Sequence, residues 1–196
     1  MQVKTIAGHD LMPGKTVKDH IHVEGTELHV PHVLLCGDQP GKTVLITAGI
    51  HNAEYVGIQA AIELSNELDV SALRGNVIIV PLANRSGFEN RTMSMVYEDG
   101  KNLNRVFPGD REGSEADKLA HMLFEVFIQN VDAYIDLHSG DDMRRSFPSA
   151  TTWAIHLPRR RPGRWWTAST SSTSSAPAAV PEAHTIWPLS VVSPAY

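Results

Sequence analysis

The sequence has a single cysteine, Cys36, among its 196 residues. One thiol excludes an internal disulfide and fits a reducing compartment. No apolar run approaches the ~18 residues that a membrane span requires. The amino terminus lacks the charged-then-apolar layout of a signal peptide, so the expected location is the cytoplasm, with no membrane partner. Positive charge is scarce too: the formal net charge is −5 at pH 7 and the sequence pI is near 6.0. No basic stripe occurs in the first 140 residues, which argues against a nucleic-acid partner. The one basic run, Arg159-Arg160-Arg161 with Arg164, falls in a late segment that is also short of glutamate. The last 70 residues contain only Glu182.

What is present is the composition of a soluble globular protein, with 42% apolar and 20% charged residues. The length suits one domain with a substantial core. Val17, Asp19, Ile21 and Val23 alternate with Lys18, His20, His22 and Glu24, the pattern of a strand with one wet face. Gly25-Thr26 turns the chain into a second strand, Leu28 to Leu35, where Pro31 points to an edge or a bulge. His20, His22, His29 and His32 then fall on solvent faces of this hairpin, and Cys36 reads as a small buried residue.

The central stretch is Thr43-Val-Leu-Ile-Thr-Ala-Gly-Ile-His51-Asn-Ala-Glu54. It reads as a buried strand, a turn at Gly49, and a helix whose first turn carries Glu54. Ile58, Ala61, Ile62, Leu64 and Leu68 continue at amphipathic helical spacing. Asn76 to Leu82 is another apolar strand, which completes a βαβ unit and hence a parallel pair. A long polar loop follows over 84–112. Ser114 then caps a helix with Leu119, Met122, Leu123, Val126 and Phe127 on one face, and Val131 to Leu137 returns to strand character before His138. The expected fold class is α/β, with a mixed, centrally parallel sheet flanked by helices and incomplete at the carboxyl terminus.

Three apolar strands thus end at polar chemistry: His51-x-x-Glu54, the Asn84–Arg105 loop, and His138. Open α/β sheets place their ligands at that edge. An imidazole and a carboxylate there supply two of the three protein ligands of a catalytic zinc site, and His138 is a third. Taken alone, His51-x-x-Glu54 is a weak signal, since most such pairs are a surface histidine beside a glutamate favoured by the helix dipole. Arg105, between the anchors Leu103 and Phe107, is suited to bidentate recognition of a carboxylate. Asp136 reads as a partner that orients a ligand histidine.

His51-x-x-Glu54, Asn102-Leu-Asn-Arg-Val-Phe-Pro-Gly109 and Ile135-Asp-Leu-His-Ser-Gly140 together resemble the succinylglutamate desuccinylase/aspartoacylase family of zinc carboxypeptidase-like hydrolases. The resemblance covers residues 1–142. It implies one Zn2+ per chain held by His51, Glu54 and His138, and a substrate carboxylate held by Asn104 and Arg105. It also implies an arginine that polarises the scissile carbonyl, for which Arg91 is the best match and Arg85 the alternative. The implied activity is hydrolysis of the amide of a small N-acyl amino acid, using water whose pKa zinc lowers to about 7. A carboxypeptidase acting on peptide ends uses the same groups and stays open as an alternative.

After Asp142 the composition changes. Arg159 to Trp166 and the Thr/Ser run 167–175 show neither period 2 nor period 3.6. The family's general-base glutamate comes from later in the chain, and no well-placed glutamate follows here. Residues 143–196 are therefore expected to be a low-complexity, disordered or frameshifted tail. The competing expectation to a deacylase is then a non-catalytic zinc-binding remnant.

Overall fold

The computed structural model describes residues 4–139, and the backbone of two later strands at 152–158 and 165–171. A two-residue hairpin, β1 (Thr5–Ile6) and β2 (His9–Asp10), precedes the main sheet. The chain then forms β3 (Thr16–His22), β4 (His29–Cys36), β5 (Gln39–Ala48), α1 (Tyr55–Glu67) and β6 (Arg74–Val80). A short α2 (Arg85–Glu89), α3 (Glu115–Met122) and β7 (Ala133–His138) follow, with β8 (Thr152–Pro158) and β9 (Trp165–Ser171) last. The strand order is β3-β4-β6-β5-β7-β8-β9. At its centre β5 runs parallel to both β6 and β7, and antiparallel pairs flank this core on each side. The sheet is mixed and centrally parallel, as the apolar runs predicted.

Each face of the sheet buries a different cluster. On one, Ile58 and Ala61 of α1 pack with Val33, Ile46, Ile79 and Leu137. On the other, Leu119 and Phe127 pack with Leu34, Leu45 and Ile78. Facing residues of alternate parity along the strands feed the two layers, which is why β5 and β6 read as continuous apolar runs.

Several local expectations shift. Pro31 lies in an interior strand, but β6 pairs with β4 only from Val33 to Cys36, so the proline occupies the half that β6 does not reach. Ile62 is 40% exposed. The buried stripe of α1 instead runs through Gly57, Ile58, Ala61 and Ser65. His32 is buried rather than on a solvent face, because it shares with Val30 and Leu34 the side of β4 that faces Phe127. Cys36 is buried, and burial pushes its thiol pKa up, which fits a packing role. The helix capped by Ser114 appears as α3, with the Ser114 N–H donating to the Asp117 carboxylate at 3.1 Å, and continues through a π-helical turn over Leu123–Phe127.

Of the expected tail from residue 143, β8 and β9 are strands, whereas the composition predicted no regular structure. In β8 the sequence alternates Trp153, Ile155 and Leu157 with Thr152, Ala154 and His156, a period-two signal inside the biased segment. The rest of 143–196 lies outside the described residues.

Candidate metal centre

Residue His51 follows β5 by three positions. Between them Gly49 takes φ +66°, and a Cβ there would come within 2.8 Å of Leu82 Cδ1. Only glycine makes this turn without strain and collision. Glu54 sits one position before α1 as its N-cap residue, not within the first helical turn. Its side chain makes no cap hydrogen bond and turns instead toward the sheet. Gly57 permits this, because a Cβ at that position would lie 3.1 Å from the Leu137 carbonyl oxygen. The amino end of α1 thus rests directly on the end of β7.

The result is a group assembled from two distant parts of the chain. Glu54 Oε1 is 3.0 Å from His51 Nδ1, and Glu54 Oε2 is 2.9 Å from His138 Nδ1. The Ser139 backbone N–H donates to the same Oε2 at 2.9 Å. One ligand atom from each of His51, Glu54 and His138 can be chosen so that all lie within 4.8 Å of one another, so among the described residues these three could hold a metal ion. Donor atoms on a tetrahedral zinc, each about 2.0–2.1 Å from the metal, lie about 3.3 Å apart. The donor atoms of the three residues, all within 4.8 Å of one another, are near enough to close on such an ion. His51 Nε2, the ring nitrogen turned away from Glu54, is buried without a hydrogen-bond partner among the described residues, which leaves Nδ1 as the nitrogen facing the group. The residues fit a zinc ion by spacing and donor chemistry.

Behind His138, its Nε2 lies 2.7 Å from Asp136 Oδ2. Asp136 Oδ1 accepts from Thr47 Oγ1 at 2.7 Å, and Thr47 Oγ1 is 2.9 Å from the Tyr134 hydroxyl. Asp136 is therefore the histidine's orienting partner, as its spacing predicted. Burial alone would raise the Glu54 pKa, but hydrogen bonds from His138 and His51 and the charge of His138 hold it at about 2. Burial alone would lower the His138 pKa, but Asp136 and Glu54 push it up to about 10. Without a metal, His138 is an imidazolium clamped between two carboxylates.

The residues assigned to substrate lie on the loop after β6, at the same edge of the sheet. That loop is tied to the β5 turn by Ala83 N–H to Ala48 O and Asn84 N–H to Gly49 O, both 2.9 Å. Ala53 N–H donates to Met93 O at 2.8 Å, which lays the 91–95 stretch over the His51–Glu54 turn. Arg91 is exposed and takes φ 57°, and Met93 takes φ 65°. Two non-glycine residues in the left-handed region form a strained pair flanking Thr92. Asn104 is half-buried, while Arg105 is exposed and its guanidinium, among the described residues, donates to the Asn104 carbonyl at 3.2 Å. Arg85 pairs with Glu89 at 2.7 Å. Among the described residues, no hydrogen bond or ion pair joins Arg85, Arg91, Asn104 or Arg105 to the His51–Glu54–His138 group.

Buried Asn52 and Asn84 were not singled out in the sequence. Asn84 Nδ2 donates to Asn52 Oδ1 at 3.1 Å and to Met95 O at 3.0 Å, while Asn84 Oδ1 accepts from Gly87 N–H at 3.1 Å. This amide pair locks the loop to the turn that carries His51. Its signal was Asn84 at the end of an apolar strand, in position to cap α2.

Residues 40–156 match the family described as the Succinylglutamate desuccinylase/Aspartoacylase catalytic domain. This chain belongs to that family. The match runs past residue 142 into β8, so family-like sequence extends further than the composition indicated. The N-alpha-acetyl-L-2,4-diaminobutyric acid deacetylase of Halomonas elongata is 44% identical over 117 residues. Those residues are 59% of this chain and 33% of the deacetylase, so the match spans about a third of that relative. An aspartoacylase family protein from Mesorhizobium loti superposes with a TM-score of 0.59 at 35% identity, covering 65% of this chain and 41% of its own. The product-bound ectoine utilization protein EutE (DoeB) from Ruegeria pomeroyi gives 0.58 at 27% identity, covering 66% and 41%. Among the described residues, no helix is long and apolar enough to cross a membrane.

Proposed function

We propose that this chain carries the zinc-binding part of a deacylase that hydrolyses the amide bond of small N-acyl amino acids. The observation that carries the reading is the Glu54 carboxylate bridging His51 and His138, within a chain of this family. Zinc held by these three residues supplies water of lowered pKa and polarises a carbonyl. The protein's own part is positional. Glu54 and the two imidazoles fix the ion above the sheet edge, Asp136 holds the His138 ring, and Asn52 with Asn84 fixes the loop beside it. Arg105, whose guanidinium meets no carboxylate among the described residues, is the candidate to grip the substrate's carboxylate beside Asn104. Arg91, on the strained stretch over the His51 turn, is the candidate to polarise the scissile carbonyl. The similarity to a deacetylase of N-α-acetyl-2,4-diaminobutyrate supports acetylated diamino acids as the first substrates to try.

A second reading has its own observation. Among the described residues, the carboxylates that touch the two histidines are Glu54 and Asp136, and both are engaged by them. Neither is free to carry a proton from water to a leaving amine. A metal-binding unit without turnover fits that arrangement.

The test is a panel of N-acyl amino acids assayed with and without added Zn2+. Zinc-dependent turnover that His51→Ala abolishes supports the deacylase and removes the non-catalytic reading. Tight zinc binding without turnover supports the second reading, and absence of zinc binding removes both.

A further inference from the structure

Thr47 interrupts the apolar run of β5, and its hydroxyl is fully buried beside two other polar side chains. A polar group at the centre of a parallel sheet is costly unless its hydrogen bonds are satisfied. Its location is set by register. In the β5–β7 ladder Thr47 pairs with Asp136 and Leu45 with Tyr134. Tyr134 and Asp136, two residues apart, share one face of β7, so the Thr47 hydroxyl is reached by both.

The protons in this cluster can be assigned from its inventory of donors. An ionised Asp136 only accepts. Thr47 has one hydroxyl proton, and it goes to Asp136 Oδ1 at 2.7 Å. The 2.9 Å contact between Thr47 Oγ1 and the Tyr134 hydroxyl must then be donated by the tyrosine. On the far side, Asp136 Oδ2 accepts from His138 Nε2 at 2.7 Å. The direction is therefore continuous: Tyr134 O–H to Thr47, Thr47 O–H to Asp136, His138 Nε2–H to Asp136. In the metal-free protein His138 Nδ1–H donates to Glu54 Oε2 at 2.9 Å, and once a metal displaces that proton Nδ1 is the nitrogen left to bind it.

We infer that Thr47, with Tyr134 behind it, is a positioning device for the metal centre: it fixes the Asp136 carboxylate so that His138 presents Nδ1 as its ligand atom. This rests on the reading of His51, Glu54 and His138 as a zinc site. Among the described residues the hydrogen bonds of the Thr47 hydroxyl run to Asp136 and Tyr134, so Thr47 acts on the metal centre through Asp136. Asp136, the group directly behind the ligand, is the kind of partner whose removal changes metal affinity by about 10- to 100-fold, and Thr47 stands one contact further out, so its effect is smaller.

The experiment uses the full chain and Zn2+ itself, with affinity read by competition against a chromophoric chelator. Thr47→Val keeps the shape and removes the hydroxyl. It is expected to weaken zinc binding by up to about 10-fold, below the loss for a group bonded directly to the ligand, while Thr47→Ser restores binding to within about twofold of the parent. Tyr134→Phe, which leaves the Thr47–Asp136 bond in place, is expected to weaken binding less than Thr47→Val. Nitrogen shifts of the His138 ring in the zinc-loaded protein provide a readout that packing alone does not move. The parent and Thr47→Ser should show a single form protonated at Nε2, and Tyr134→Phe should broaden that signal. If Thr47→Val fails to fold, Thr47→Ser and Tyr134→Phe decide by the same affinities and shifts. Parent-like affinity in Thr47→Val or, where that variant does not fold, in Tyr134→Phe with an unchanged His138 signal overturns the relay alone. A parent that does not bind zinc, or whose binding survives His51→Ala, overturns the metal-centre reading and the relay with it.

Discussion

Glu54 Oε2 and His138 Nδ1 lie 2.9 Å apart across 84 residues of sequence. Three placements combine to bring them together. The parallel β5–β7 ladder sets Ala48 opposite Leu137, the turn at Gly49 redirects the chain over the sheet edge, and Gly57 lets α1 approach β7 closely. None of the three involves the chemistry of the site. The pair is an output of topology, which is why residues so far apart can be read as one group.

The first prediction removes the charge that joins the two histidines. Glu54→Gln keeps the shape and one acceptor oxygen but no longer offers a carboxylate to a cation. Zinc affinity is expected to fall on the order of a hundredfold or more, because the loss is at a ligand rather than behind one. Chelator competition measures it, with far-UV circular dichroism showing that the fold persists. Affinity equal to the parent's would mean that the metal is held elsewhere.

Gly57→Ala tests the close approach of α1. In a helix interior, alanine is favoured over glycine by about 1 kcal/mol. Here the new Cβ meets the Leu137 backbone at 3.1 Å, a neighbour that cannot swing aside. The helix must back off by a few tenths of an ångström, and Glu54 moves with it. Zinc affinity is expected to drop while thermal stability changes by less than about 1 kcal/mol in either direction. An affinity unchanged from the parent would show that Glu54 adjusts independently of the helix.

The sheet was legible because β5, β6 and β7 are buried on both faces and their residues leave no alternation to misread. The His51, Glu54 and His138 trio was legible because each follows a strand or turn at the same edge. Residues whose role depends on cross-strand register were not. Thr47 gains its meaning only from standing opposite Asp136, and Asn52 only from meeting Asn84. Ile62 was assigned to the buried stripe because helical period alone does not set which side of a stripe faces the sheet. His32 looked like a wet hairpin position because nothing local shows that Phe127 covers it. The strand character of β8 was hidden by the composition of the segment around it.

The pH dependence of the metal-free protein follows from the clamp around His138. Its pKa is pushed up to about 10 from an ordinary 6.5, so this contribution to stability is complete below pH 6.5 and is lost as pH rises through 10. Glu54 is held at about 2 against an ordinary 4.5, so its contribution is complete above pH 4.5 and is lost as pH falls through 2. Both are at full strength between pH 4.5 and 6.5. Zinc binding at pH 7.5 has to displace the His138 proton and should release about one proton per ion. Calorimetry in buffers of different ionisation enthalpy measures that number. A value near zero would show that His138 is already neutral before the metal arrives.

His32 opposes the clamp on the acid side. Its side chain is 2% exposed, packs against Phe127 at 5.7 Å and His9 at 5.9 Å, and among the described residues neither ring nitrogen makes a hydrogen bond of good geometry, the Val30 carbonyl being near but poorly aligned. Burial pushes its pKa below 6.5, outweighing the Val30 carbonyl and the Asp19 charge opposite it on β3, and His9 and His20 lower it further. The unfolded chain takes up a proton below pH 6.5 more readily than the folded one does, so stability drains away as pH falls from 6.5 through the folded pKa. His32→Leu removes both the titration and the unsatisfied nitrogens. At pH 7.5 it should stabilise the protein by about 1 kcal/mol, the scale of relieving an unpaired buried polar group. At pH 5 the gain over the parent should be larger. Urea unfolding of both proteins at the two pH values isolates His32, because the contributions of Glu54 and His138 cancel in the difference. A gain that does not grow toward acid would mean that the folded protein accepts the His32 proton as readily as the unfolded chain.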